Sequence, residues 1–191
     1  MIQNINAQLK SLTAKYPIDY LQGIGSEKMP NNTTYAYVAN NSAITYNHDE
    51  GVYGIFQKPS KWSNPKEHGG YVRLTTLSAY KNTARGVTIH EFGHLLHVPT
   101  LQNYSDYLRL PKSERSGNSP AVEAGRLQER LENLYKKACK NGDVKRISRY
   151  AASSPDEFFA ECFAYRENGG KLPRDYEKVL DNIIQFATKR P

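Results

Sequence analysis

The chain has 191 residues, 38% of them apolar and 24% charged, with a mean hydropathy of -0.72 and a formal net charge of +7. That length supports one well-buried core with at most a small appendage, and the composition is that of a folding, polar-surfaced protein rather than a disordered one. No window approaches the roughly 18 apolar residues of a membrane-spanning helix, and two cysteines, Cys139 and Cys162, are too few for a disulfide framework.

The first ten residues lack the basic and apolar regions of a secretory signal, so the expectation is a cytoplasmic chain or an excised domain of a larger or secreted protein. Ile2, Ile5, Leu9 and Leu12 recur at helical spacing and predict an amphipathic helix over 2 to 15, ended by Pro17. From 18 to 77 the pattern changes to short runs, Thr34 to Val38, Ala43 to Tyr46, Val52 to Phe56 and Tyr71 to Thr75, which read as strands. Asn-Asn, Gly and Pro clusters between them mark turns, and Lys58 to Gly70 reads as an exposed loop carrying the only tryptophan, Trp62.

Helical spacing returns over 84 to 98, where Pro99 is expected to stop the helix. A loop rich in Pro, Ser and Gly follows from Leu110 to Pro120. Ala124, Leu127, Leu131, Leu134 and Ala138 then repeat at three and four residues, predicting an amphipathic helix that ends near Asn141-Gly142. Two more helices are expected, from Pro155 to about Glu167 and from Arg174 to about Thr188. A helix, a strand-rich half and a helical half make α+β the class, with a small mixed sheet. We expect a single domain over 1–191, its strand-rich part at 1–98 and its helical part at 99–191.

Residues 109 to 149 hold 11 Lys/Arg against 5 Asp/Glu. Such an excess either attracts an anionic partner or is a solvated helix face, and the second reading is preferred because no evenly interleaved aromatics offer base stacking. Cys162 falls among Phe158, Phe159 and Phe163 and reads as a buried small hydrophobe.

The most informative segment is His90-Glu91-Phe92-Gly93-His94. On a helix, positions four apart lie on one face one turn apart, so both imidazoles can reach one ion. Zinc suits imidazole nitrogen, and a catalytic zinc takes three protein ligands and leaves a fourth position for water. Glu91 is then the general base that takes the water's proton. Gly93, in mid-helix, costs about 1 kcal/mol against Ala and implies a close packing neighbour. His97 lies two turns beyond His90, about 10 Å away, and cannot share its ion. His48 and His68 fall in loops and read as exposed histidines.

A third ligand must come from elsewhere, and Ser154-Pro-Asp-Glu-Phe-Phe-Ala-Glu-Cys-Phe163 offers Glu157 and Glu161 on one helix face. If Glu157 binds zinc, Glu161 can accept the outer N–H of a zinc-bound histidine. The same segment is also a capping box, Ser154 with Glu157 and Pro155 at the first helical position, in which both carboxylates are ordinary helix-start charges. Pattern alone leaves the two readings open.

His90 to His94, Glu157-Phe-Phe-Ala-Glu161 and Tyr150, seven residues before Glu157, together resemble the gluzincin zinc peptidases related to anthrax lethal factor and the clostridial Pro-Pro endopeptidases. The resemblance implies zinc held by His90, His94 and Glu157, with Glu161 behind the ligands and Tyr150 donating its hydroxyl to the oxyanion of the tetrahedral intermediate. Trp62, Gly69-Gly70 and the run Tyr71 to Leu74 are similar to the tryptophan, glycine pair and substrate-pairing edge strand of the Pro-Pro endopeptidases. The chain departs from those relatives in the longer interval between His94 and Glu157, filled by the basic helix, and in His97, which stands where they tend to have an acidic residue.

The expected function is a zinc metalloendopeptidase acting on a peptide or protein. Two other classes remain: a catalytically silent zinc-stabilised module of a phage or toxin assembly, which does not explain Glu91, and a nucleic-acid binder built on the basic segment, the weaker of the two.

Overall fold

A computed structural model describes residues 2–30, 34–48 and 84–189. The described elements follow the α+β order expected: α1 (Ile2–Lys15), β1 (Gly23–Glu27), β2 (Ala36–Ala39), β3 (Ala43–Asn47), α2 (Ala84–Arg109), α3 (Pro120–Asn141), the single turn α4 (Val144–Ile147), α5 (Pro155–Glu167) and α6 (Arg174–Thr188). The predicted strands Val52 to Phe56 and Tyr71 to Thr75 lie outside the described residues, as do Lys58 to Gly70, Trp62 and His68.

The sheet is small and mixed, in the order β1-β3-β2. β3 pairs parallel to β1, Gly23 opposite Ala43 through Glu27 opposite Asn47, and antiparallel to β2, Ala36 opposite Tyr46. Asn40 and Asn41 turn the β2–β3 hairpin with φ of 49° and 61°, and Ser42 N–H donates to Ala39 O at 3.1 Å. Asparagine tolerates that left-handed conformation, which is why an Asn-Asn pair marks a tight hairpin.

The core lies where α2 is surrounded by α1, α3, α5 and α6. Ile5, Leu9 and Leu12 of α1 and Tyr16 just after it are buried in it, with Ile44 and Tyr46 of β3 and Leu127, Leu131, Leu134 and Ala138 of the predicted stripe of α3; Ala124 of that stripe is buried as well. Tyr16 meets the edge of the Phe163 ring at 5.4 Å, and Phe163 stacks on Phe92 at 6.2 Å, joining α1, α2 and α5. Cys162 is buried as expected.

Local signals set several helix ends. Ser119 caps α3, accepting from Val122 N–H, and Gly142 ends it in the left-handed conformation with φ 76°. Pro99 does not end α2, contrary to expectation; the helix runs ten residues further, to Arg109. Proline at 99 removes the N–H that Leu95 O would accept, and the Tyr20 hydroxyl donates to that oxygen instead at 2.8 Å. The interruption is thus repaired from outside the helix, by a residue distant in sequence. The expected division at 98/99 crosses this continuous helix.

Candidate metal centre

α2 places His90 and His94 one turn apart, and the approach of α5 brings the third residue to them. Gly93 makes that approach possible: a Cβ there would stand 3.0 Å from Ala160 Cα and 3.3 Å from Phe163 Cδ1. Ser154 starts α5, its Oγ accepting from Glu157 N–H at 3.1 Å with Pro155 in the first turn. The cap and the carboxylate that faces the two histidines therefore belong to the same residue, Glu157. The N–H closes the cap, while the carboxylate turns toward α2.

Three atoms converge there. His90 Nε2 and His94 Nε2 are 3.1 Å apart, and Glu157 Oε2 is 3.2 Å from the first and 3.3 Å from the second. Among the described residues, His90, His94 and Glu157 are the group whose geometry can hold a metal ion. Glu157 Oε2 is buried and has no hydrogen-bond partner despite the two nitrogens beside it, as suits an oxygen built to face a cation. Glu157 Oε1 accepts instead from the Tyr150 hydroxyl at 3.0 Å, which leaves Oε2 to the histidines.

The other residues singled out in the sequence are also drawn in. Glu161 Oε1 lies 3.0 Å from His90 Nδ1, on the far side of the ring from Glu157. Tyr150 opens a 3-10 turn, Tyr150–Ala152, and its ring centroid is 5.9 Å from that of His90. Ser148 Oγ accepts from Ala151 N–H at 2.8 Å and Tyr135 donates to Ala152 O at 2.7 Å, so the turn is tied down while the Tyr150 side chain remains 44% exposed. Glu91 is only 6% exposed and lies within the field of His90, His94 and Glu157.

Electrostatics follow from this crowding. Burial works to lower the His90 pKa, but the Glu157 and Glu161 carboxylates outweigh it and raise it to about 10. Burial works to raise Glu157, yet the two imidazoles hold it well below the usual carboxylate range. Positive charge is strongly favoured between these groups. Burial pushes Glu91 above its ordinary value, against the pull of His90 and His94, and burial with the charge of Glu157 raises Tyr150.

His48 is exposed, as expected of a loop residue. His97 takes no part in the three-atom cluster but is wholly buried beside it, with Gln128 and Asp156 as neighbours. Neither neighbour was singled out in the sequence. The signal for Gln128 was present: a polar residue directly after Leu127 and three before Leu131, inside the apolar stripe of α3.

No protein-family model, curated protein or solved structure matches the chain.

Proposed function

We propose that the chain is a zinc-dependent endopeptidase in which His90, His94 and Glu157 hold the metal, Glu91 is the general base and Tyr150 the oxyanion donor. The observation that carries the reading is the triangle of ligand atoms. Tetrahedral zinc with bonds of about 2.0–2.1 Å sets neighbouring ligand atoms about 3.3 Å apart; the three edges here are 3.1, 3.2 and 3.3 Å. Two imidazoles with one carboxylate also suit zinc better than calcium or magnesium, which favour oxygen ligands. The peptide as substrate rests on the resemblance to the gluzincins.

When bound, zinc lowers the pKa of a coordinated water to about 7 and polarises a carbonyl. Each residue then has a task set by its surroundings. Glu91, raised by burial, takes the water's proton and passes it to the leaving amine. Glu161 beside Nδ1 favours the His90 tautomer that leaves Nε2 as the ligand atom. Tyr150, whose hydroxyl donates to Glu157 Oε1 beside the cluster, would donate it to the oxyanion when substrate is bound.

The test is metal analysis together with a peptide-library cleavage assay on wild type and Glu91→Ala. Both proteins should carry one zinc per chain, and the variant should cleave about 10²–10⁴-fold more slowly. Equal cleavage by both, or no stoichiometric metal in the wild type, overturns the reading. Zinc in both and cleavage by neither would favour the silent zinc-stabilised module.

A further inference from the structure

Three residues beyond His94, the core between α2, α3 and α5 contains two polar side chains, His97 at 0% exposed and Gln128 at 4%. His97 Nε2 is 2.9 Å from Gln128 Oε1. Gln128 Nε2 donates onward to Glu132 Oε1 at 3.4 Å, which turns the amide oxygen to the imidazole and makes Nε2 the protonated ring nitrogen. On its other side the ring lies 4.9 Å from that of Phe159. Its Nδ1, buried and without a hydrogen-bond partner, is 3.6 Å from Asp156 Oδ1. Asp156 and Phe159 flank Glu157 on α5.

Two apolar residues in these places would join the helices without the desolvation of two polar groups, so stability does not account for the pair. A directional hydrogen bond adds register. It fixes the rotation of α2 and the seat of α3 more narrowly than apolar contact does. A ligand triangle has that need, since a shift of about 0.5 Å spoils a metal geometry.

We propose that His97 is a positioning residue for the metal centre, through which α3 sets the relation of His94 on α2 to Glu157 on α5. The long helix between the second histidine and the third ligand is then part of the site's support. This inference rests on the metal-binding reading above.

The test uses the full chain and compares the zinc dissociation constant, by competition with a chromophoric chelator, with the metal-free melting temperature. His97→Leu strands the buried Gln128 amide and lowers the melting temperature; His97→Leu/Gln128→Leu removes both partners and recovers it. The double variant should melt near the metal-free wild type yet bind zinc about 10-fold or more weakly. Affinity that returns to the wild-type value along with the melting temperature overturns the proposal and leaves the pair purely structural. If the double variant does not fold, Gln128→Met, which keeps the shape and removes the acceptor, should show the same weakening, and unchanged affinity there overturns it equally. A wild type that takes up no zinc overturns the metal reading itself; a zinc-binding wild type with unaffected variants overturns this inference alone.

Discussion

Gly93 shows how one missing methyl group sets the distance between the helices that carry His94 and Glu157. Alanine at 93 would gain about 1 kcal/mol of helix propensity, but its Cβ would press on the Ala160 backbone at 3.0 Å. A packed helix backbone cannot swing aside as a long side chain can. Gly93→Ala is therefore expected to destabilise the fold by about 1–3 kcal/mol in urea unfolding and to weaken zinc uptake, because Glu157 rides on the displaced helix. A variant as stable as wild type with undiminished zinc affinity would show that α5 yields freely.

His97 makes a prediction of its own. Burial holds its pKa down to about 4, with the charge of His94 adding to the effect and the Gln128 hydrogen bond opposing it; Glu132 lies beyond Gln128 and Asp156 faces Nδ1. In the unfolded chain a histidine titrates near pH 6.5, so the unfolded state takes up a proton that the fold excludes. The His97 contribution is complete above pH 6.5 and declines as the pH falls toward 4, by on the order of 3 kcal/mol. Urea unfolding of wild type and His97→Leu/Gln128→Leu from pH 7 to pH 4 should show the wild type losing more stability by that amount, and a constant difference across the range would contradict it.

Helix and strand boundaries were readable where their determinants are local. Ser119, Ser154, the prolines following them and Gly142 each act within a turn of the end they set, and the ends of α3, α5 and α6 match the expectation. α2 escaped because the residue that carries it past Pro99, Tyr20, is remote in sequence. β1 escaped for a different reason: Gly23 to Glu27 is exposed throughout, with two glycines and no alternation, and is a strand only through its pairing with β3. The repair at Pro99 is open to a direct check. Tyr20→Phe keeps the ring and removes the donor, leaving Leu95 O without a partner, and should cost about 1–3 kcal/mol by urea unfolding. No loss would mean that the carbonyl finds another donor.

Across the whole molecule, the site is an agreement among distant segments. His90, Glu91 and His94 were legible from helical period alone, because they share one helix. Glu157 was ambiguous, because the helix cap and the proposed ligand use the same residue, and only the packing of α5 on α2 brings its carboxylate to His90 and His94. Asp156 was not legible, and Gln128 only as a polar residue inside an apolar stripe, since their meaning depends on which helices meet at His97. Part of the basic excess is engaged within the chain: Arg115 donates to Leu110 O and Leu108 O, Arg126 to Ser116 O and Gly117 O, and Lys137 pairs with Asp175. No helix among the described residues is long and apolar enough to cross a membrane.

Zinc X-ray absorption on protein loaded with one equivalent decides whether His90, His94 and Glu157 form one zinc centre. Zinc bound there should be four-coordinate, with two imidazoles and oxygen ligands at about 2.0–2.1 Å, and Glu157→Ala should lose that environment. A sulfur shell at about 2.3 Å, a spectrum unchanged by Glu157→Ala, or zinc left free at one equivalent would contradict it.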